Sequence, residues 1–177
     1  MTDYATRATG AAAELRDAAL GVDPAEFDRL ATAIAAAARI VCHGVGREGL
    51  MMRALVMRLY HLGLDAHVAG DMSCPPVAPG DLLIVSAGPG DFATIAALVH
   101  VANGAGATTA CITAQPTAPV PRACTHVLTI PAQTMADDQT DAPASILPMG
   151  SLFEGAQYLV FELLILALRA RLGADPG

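Results

Sequence analysis

The chain has 177 residues, 54% of them hydrophobic, which is enough for one domain with a substantial apolar core. Its net charge is −7, and its ten basic residues are dispersed, which argues against nucleic acid or an anionic membrane as a partner. No basic segment followed by an apolar run is found at the N-terminus, so we expect no secretion signal and a cytoplasmic protein.

Taken in chain order, the sequence predicts a single domain, residues 1–177, made of four consecutive parts. These parts are a helical lead-in (1–38), an alternating strand and helix core (39–130), an irregular loop (131–148) and a C-terminal helix (149–172). The predicted helices are 4–20, 24–38 with Asp23 as N-cap and Pro24 as first residue, 47–62, 91–103 with Asp91 as N-cap, and 151–172. The predicted strands are 39–43, 65–69, 81–86, 107–113 and 125–130.

Continuous apolar strands that alternate with helices are typical of a parallel sheet covered on both faces, a three-layer α/β/α sandwich. In such a sheet the loops that follow the strands meet at one edge, where ligands bind. Two of these loops are rich in glycine: 44–49 has the sequence GVGREG, and 86–91 has the sequence SAGPGD.

The longest apolar region, residues 152–168, contains Glu154, Gln157 and Glu162, which favours a buried helix over a membrane span. Glu154 falls in the first turn of this helix. A buried carboxylate is costly unless it is paired or used, so Glu154 is a candidate for chemistry. The alternative is that Glu154 only interacts with the helix dipole, with Ser151 as the cap.

Cysteine and histidine give no sign of a metal or cofactor. The four cysteines are far apart and form no CxxC pair, and the five histidines lack ligand spacing. We therefore expect reduced, structural thiols, no metal site and no cofactor.

Four segments together resemble the sugar isomerase (SIS) domain family, and within it the 6-phospho-3-hexuloisomerases. They are GVGREGL at 44–50, MRLYHLG at 57–63, GDLLIVS at 80–86 and PMGSLFE at 148–154. The resemblance implies a SIS or flavodoxin-like fold whose five parallel strands have the order 2-1-3-4-5. It also implies a homodimer or homotetramer that interconverts a 3-hexulose 6-phosphate and fructose 6-phosphate near its subunit interfaces.

By the same resemblance, Glu154 corresponds to the catalytic carboxylate, and His61 to a histidine that acts in the same pocket, in its own or a neighbouring subunit. Moving a carbonyl along a sugar requires removal of a proton from the adjacent carbon. A carboxylate whose pKa is raised by burial can do this, and a histidine titrates near neutral pH. The alternative for His61 is that it only complements the dipole at a helix C-terminus.

The glycine loops depart from the family pattern, which binds phosphate with hydroxyl side chains. Glu48 and Gly88 stand where serines are usual, and Asp91 stands where a threonine is usual. Each unit-charge repulsion across ~5 Å costs about 3 kcal/mol at an effective dielectric constant near 20, and Arg47 offers one compensating charge. The predicted substrate-binding residues are Gly44, Gly46, Arg47, Glu48, Asp71, Ser73, Ser86, Gly88 and Asp91.

These observations predict an isomerase whose partner is a small sugar or sugar phosphate. Two alternatives remain. The first is a SIS domain that acts on or senses a non-phosphorylated or amino sugar, because the phosphate loops are altered. The second is a non-catalytic binding module that acts through another protein.

Overall fold

The computed structural model describes residues 3–137 and 145–173, in which helices flank a five-stranded sheet. The helices are α1 (Tyr4–Leu20), α2 (Pro24–Ala36), α3 (Gly46–His61), α4 (Ala93–Gly104), α5 (Pro119–Arg122) and α6 (Ser151–Leu172). The strands are β1 (Ile40–His43), β2 (Ala66–Val68), β3 (Leu82–Ser86), β4 (Thr108–Thr113) and β5 (His126–Thr129). All neighbouring strands are parallel and their order is β2-β1-β3-β4-β5, so the predicted fold class is confirmed.

Alternate residues of β3 point into two separate cores. Leu82 and Ile84 belong to the core formed with α2, α3 and α6, whereas Leu83 and Val85 belong to the core formed with α4. Every residue of β3 is buried. A strand covered on both faces is largely apolar, which is why β3 has four consecutive apolar residues, 82–85, before Ser86.

By length and composition alone, α6 could cross a membrane. In the fold it packs against α1, α2 and α3, and Phe153, Val160, Leu164 and Leu168 are buried in the core. The apolar face of α6 is therefore used for packing within the domain, as the sequence predicted.

Two predicted N-caps have different outcomes. Asp23 caps α2, where its carboxylate accepts the N–H of Ala25 at 2.8 Å. The prediction that Asp91 caps α4 is wrong, because Phe92 occupies the N-cap position and α4 begins at Ala93. The reason is the turn that precedes α4. Gly90 has φ +87° and its N–H donates to the Ala87 carbonyl, and this turn delays the start of the helix.

Two further segments of the chain carried little structural signal in the sequence. The four-residue helix α5 was not predicted, because it is too short for a periodic pattern and is marked only by Pro119 at its start. Of the predicted loop 131–148, residues 131–137 and 145–148 contain no α-helix or strand. Residues 138–144, like 1–2 and 174–177, lie outside the described part of the chain.

The strand order places a crevice between β1 and β3. The chain leaves β1 toward β2 on one side and leaves β3 toward β4 on the other, so the loops that follow β1 and β3 diverge. The first turn of α6 reaches the same edge, where Arg47 of α3 contacts Ser151. Three segments distant in sequence therefore meet at this edge of the sheet.

Candidate active site

A cleft of about 500 Å³ opens at this edge. Its walls come from the start of α3, the residue before α4, the segment that precedes α6 and the first turn of α6. The lining residues are Val45, Gly46, Arg47, Glu48, Phe92, Met135, Met149 and Glu154.

Glu154 presents a partly buried carboxylate to this cleft, with 16% of its side chain exposed. Burial raises the pKa of Glu154 above its ordinary value. The Arg47 guanidinium opposes this effect, and the nearby Glu48 carboxylate adds to it. A carboxylate with a raised pKa is suited to take and return a proton near neutral pH, provided that it remains ionised in its resting state.

Arg47 holds Glu154 and the start of α6 together. Its Nε lies 2.9 Å from Glu154 Oε2, its Nη1 donates to Ser151 Oγ at 2.9 Å, and its Nη2 donates to the Met149 carbonyl. The planar guanidinium fixes these three acceptors relative to α3. Arg47 is therefore already paired, rather than free to neutralise a ligand as the sequence suggested.

A strained turn precedes α6. Met149 has φ +56° and Gly150 has φ +76°, two consecutive left-handed residues. A left-handed backbone is unfavourable for methionine, and it persists only where contacts such as the Arg47–Met149 bond hold it. Gly150, not Ser151, is the N-cap of α6, so the predicted cap at Ser151 is wrong.

The end of β3 forms a second feature, which we call the anion seat: the Ser86 hydroxyl and the Gly88 N–H. Both donate to Glu48 Oε2, at 2.5 Å and 2.9 Å. Glu48 is only 6% exposed. Burial raises its pKa, while the hydrogen bonds from Ser86 and Gly88 act in the opposite direction. The seat is therefore filled by a carboxylate of the chain itself.

Gln157 supports the anion seat from the core side. It is fully buried in α6, and its Nε2 donates to Ser86 Oγ at 2.9 Å. Because Ser86 Oγ accepts this bond, its own hydrogen is directed at Glu48. The result is a buried chain of hydrogen bonds that leads from Gln157 through Ser86 to Glu48.

The glycine at position 88 is required by this arrangement. A Cβ added to Gly88 would lie 2.9 Å from Glu48 Oε1 and 2.9 Å from Phe153 Cε1. Phe153 is a fully buried core residue with little freedom to move. A side chain at position 88 and the present position of Glu48 therefore exclude each other.

The remaining predicted binding residues lie in different places. Gly44 packs against Gly49, where an added Cβ would lie 3.0 Å from the Gly49 nitrogen, so Gly44 shapes the loop. Asp71 is exposed in the loop after β2 and pairs with Arg53 at 3.3 Å. Ser73 and Asp91 are also exposed, and none of these three lines the cleft.

His61 lies at the opposite end of α3 from the cleft. The helix has 16 residues, so about 22 Å of helix separates His61 from Gly46. His61 contributes instead to an open cavity of about 570 Å³ with Tyr60, Leu64 and Asp65. A single chain therefore does not bring His61 to Glu154.

Sequence reasoning missed four of the lining residues and the role of Gln157. Val45 lies inside the glycine-rich loop 44–49, Phe92 directly follows the loop 86–91, and Met149 lies in the PMGSLFE segment. Their positions in the sequence could therefore have indicated these three residues. Met135 comes from the irregular segment and carried no signal. The only sequence feature that could have indicated the role of Gln157 is that it is a polar residue within an apolar helix.

Among the described residues, no three His, Cys, Asp or Glu side chains lie together in a way that could hold a metal ion. All four cysteines are free thiols. Burial raises the pKa of the Cys42 thiol, which makes it unreactive.

Comparison with known proteins gives a consistent result. The model of the SIS domain family matches residues 33–166. The chain is 36% identical over 155 residues to a 3-hexulose-6-phosphate isomerase of Mycobacterium gastri, covering 88% of this chain and 77% of that protein. It is 32% identical over 162 residues to a 3-hexulose-6-phosphate isomerase of Bacillus subtilis, covering 92% and 87%.

A solved structure agrees with these relatives. A hypothetical protein from Methanococcus jannaschii, for which a 3-hexulose-6-phosphate isomerase function has been inferred, superposes with a TM-score of 0.75 at 26% identity. The superposition covers 85% of this chain and 79% of that protein. The family model, the relatives and the strand order all lead to one conclusion: this chain belongs to the SIS domain family.

Proposed function

We propose that the protein is a sugar isomerase of the 6-phospho-3-hexuloisomerase type, which moves a carbonyl group along a sugar or sugar phosphate. The observation that carries this proposal is the Glu154 carboxylate, which lines the cleft with a pKa raised by burial. The relatives named 3-hexulose-6-phosphate isomerase, matched over most of the chain, support the type of reaction.

In this mechanism Glu154 removes the proton from the hydroxyl-bearing carbon beside the carbonyl. The electron pair of the C–H bond forms an enediol, and a proton shifts between the two oxygens. Return of a proton from Glu154 to the former carbonyl carbon completes the reaction and leaves the carboxylate unchanged. Arg47 keeps the carboxylate oriented and ionised between turnovers, since it pairs with Glu154 at 2.9 Å.

His61 has a place in this mechanism only if a second subunit supplies it. We propose that the protein acts as a homodimer or homotetramer in the cytoplasm, with His61 of a neighbouring subunit moving the hydroxyl proton. The distance of about 22 Å along α3 argues against a role for His61 in its own subunit's cleft. Free thiols at all four cysteines suit a reducing compartment.

The test is the Glu154→Gln variant, which keeps the shape of the side chain and removes the base. Isomerisation and exchange of the substrate C–H with solvent deuterium are measured with 3-hexulose 6-phosphate and with unphosphorylated hexulose. We expect turnover to fall by about 10²- to 10⁴-fold.

The matched control is Glu162→Gln, since Glu162 is also a carboxylate of α6 but pairs with Arg58 at 3.2 Å, outside the cleft. It should keep most of the activity. Full turnover by a folded Glu154→Gln protein would reject Glu154 as the base.

A further inference from the structure

The anion seat is occupied by a side chain of the protein itself, Glu48. Its two donors, the Ser86 hydroxyl and the Gly88 N–H, point at one oxygen of Glu48. A backbone N–H and a hydroxyl at the end of a parallel strand, beside a helix N-terminus, are the groups that bind phosphate oxygens. Here both are already used by a carboxylate that belongs to the chain.

Several features of the fold hold the Glu48 side chain in this position. Glu48 is 6% exposed, and Gln157 orients the Ser86 hydroxyl toward it from within the core. Gly88 leaves the space that the carboxylate needs, because any Cβ there would lie 2.9 Å from Glu48 Oε1. Three residues from two further segments therefore hold Glu48 in place.

The charges of the side chains that line the cleft also disfavour a bound phosphate. Among the described residues that line it, Arg47 is the only cation, while Glu48 and Glu154 are both anions. Arg47 is committed to Glu154 at 2.9 Å. A phosphate dianion would enter a cleft that already carries net negative charge.

The second oxygen of Glu48 indicates what the site can accept. The described residues give Glu48 two hydrogen bonds, and both reach Oε2, so Oε1 keeps its capacity as an acceptor. A ligand hydroxyl or ammonium group would satisfy Oε1, whereas a phosphate oxygen would be repelled by it.

We propose that Glu48 determines the ligand class: its carboxylate takes the place of a ligand phosphate, and the site takes an unphosphorylated sugar that presents a hydroxyl or ammonium group to it. This inference rests on the proposed isomerase function for the identity of the ligand as a sugar. The observation that Glu48 occupies the anion seat depends only on the hydrogen-bond geometry.

The first test is phosphate binding, with inorganic phosphate as the probe. Titration calorimetry and thermal shifts at constant ionic strength compare the wild type with Glu48→Ser, which empties the seat, and Glu48→Gln, which fills it with a neutral group. We expect Glu48→Ser to bind phosphate at least about tenfold more tightly than the other two proteins. Equal affinity in the wild type and Glu48→Ser, or an equal gain in both variants, would overturn the proposal.

The second test needs no variant, so it decides the question even if Glu48→Ser does not fold. Wild-type protein is offered a hexulose, a hexosamine and a hexulose 6-phosphate, and binding and turnover are compared. Preference for an unphosphorylated sugar supports the proposal, with the hexosamine distinguishing an ammonium from a hydroxyl. Preference of about tenfold or more for the hexulose 6-phosphate overturns it.

The outcomes separate this inference from the proposed function. Turnover of the phosphorylated sugar that is lost in Glu154→Gln would leave the isomerase function intact and reject the role of Glu48. Failure to isomerise any sugar would reject the isomerase function, while the phosphate titrations would still decide what Glu48 does.

Discussion

Two neighbours act on the proton affinity of Glu154 in opposite directions. Arg47 lowers the pKa of Glu154 and Glu48 raises it, with burial as the largest effect. A base of this kind sets the acid limb of the activity profile, because only its ionised form can accept a proton. Changing either neighbour should therefore move that limb, and in opposite directions.

Glu48→Gln should move the acid limb of the kcat/KM profile to lower pH. Removal of a negative neighbour makes the charged form of Glu154 easier to form, so the pKa of Glu154 falls. The measurement is kcat/KM against pH for the best substrate, with Glu162→Gln as the control. A limb that stays in place or moves to higher pH would contradict the coupling.

Arg47→Gln should move the same limb to higher pH. Loss of the guanidinium removes the attraction that favours ionised Glu154, so its pKa rises. Maximal kcat should also fall, since Ser151 and Met149 lose the contact that fixes the start of α6. Arg53→Gln is a suitable control, because Arg53 lies on the same helix and pairs with exposed Asp71. A shift to lower pH would show that Arg47 does not stabilise the charge of Glu154.

At the scale of elements, the placement of Glu154 depends on how α6 begins. The left-handed pair Met149 and Gly150 turns the chain into the helix, and Gly150 accepts the N–H of Glu154. The sequence located this helix correctly, since its apolar pattern is local. It did not identify the strained turn, because the contact with Arg47 that maintains it spans 102 residues.

Gly150→Ala should reduce both stability and activity. A Cβ at Gly150 would meet the Met135 backbone nitrogen at 2.8 Å, in addition to the cost of a left-handed alanine. Gly173→Ala is the matched control: Gly173 ends the same helix with φ +62°, and an added Cβ there meets nothing within 4 Å.

Urea unfolding should give a loss of about 1 kcal/mol for Gly173→Ala and a distinctly larger loss for Gly150→Ala. Only Gly150→Ala should lower kcat. Equal losses of stability in the two variants would mean that the packing of Gly150 against Met135 is unimportant.

At the scale of the whole molecule, the separation of His61 from Glu154 raises the question of whether a second subunit supplies His61 to the cleft. α3 carries the cleft at one end and His61 at the other. Several large apolar side chains on α3 and α6 are exposed in the single chain: Leu50, Met57, Tyr60, Tyr158 and Leu166. They are suited to contacts between subunits.

Mixing two inactive variants tests whether a site is shared. If His61 acts in a neighbouring subunit, Glu154→Gln and His61→Asn should restore each other's activity after joint unfolding and refolding. In randomly mixed dimers we expect about a quarter of wild-type activity, because half the dimers hold one intact site. Each variant refolded alone is the control, and no recovery in a mixture of confirmed oligomers would exclude a shared site.

The sequence by itself determined the layered fold and the presence of Glu154 at the start of a buried helix. These properties follow from local patterns: apolar runs for strands, periodic apolar positions for helices, and a polar residue where the pattern is interrupted. The resemblance of four short segments added the strand order and the type of chemistry, both of which the fold and the relatives support.

Only the tertiary structure decided what each charged residue contacts. Glu48 finds Ser86 across 38 residues, and Ser86 finds Gln157 across 71, because the strand order brings the ends of β1 and β3 beside α6. The same geometry leaves Asp91 in solvent and His61 at the far end of its helix. Such pairings depend on which strands are neighbours, and no local pattern of residues encodes that.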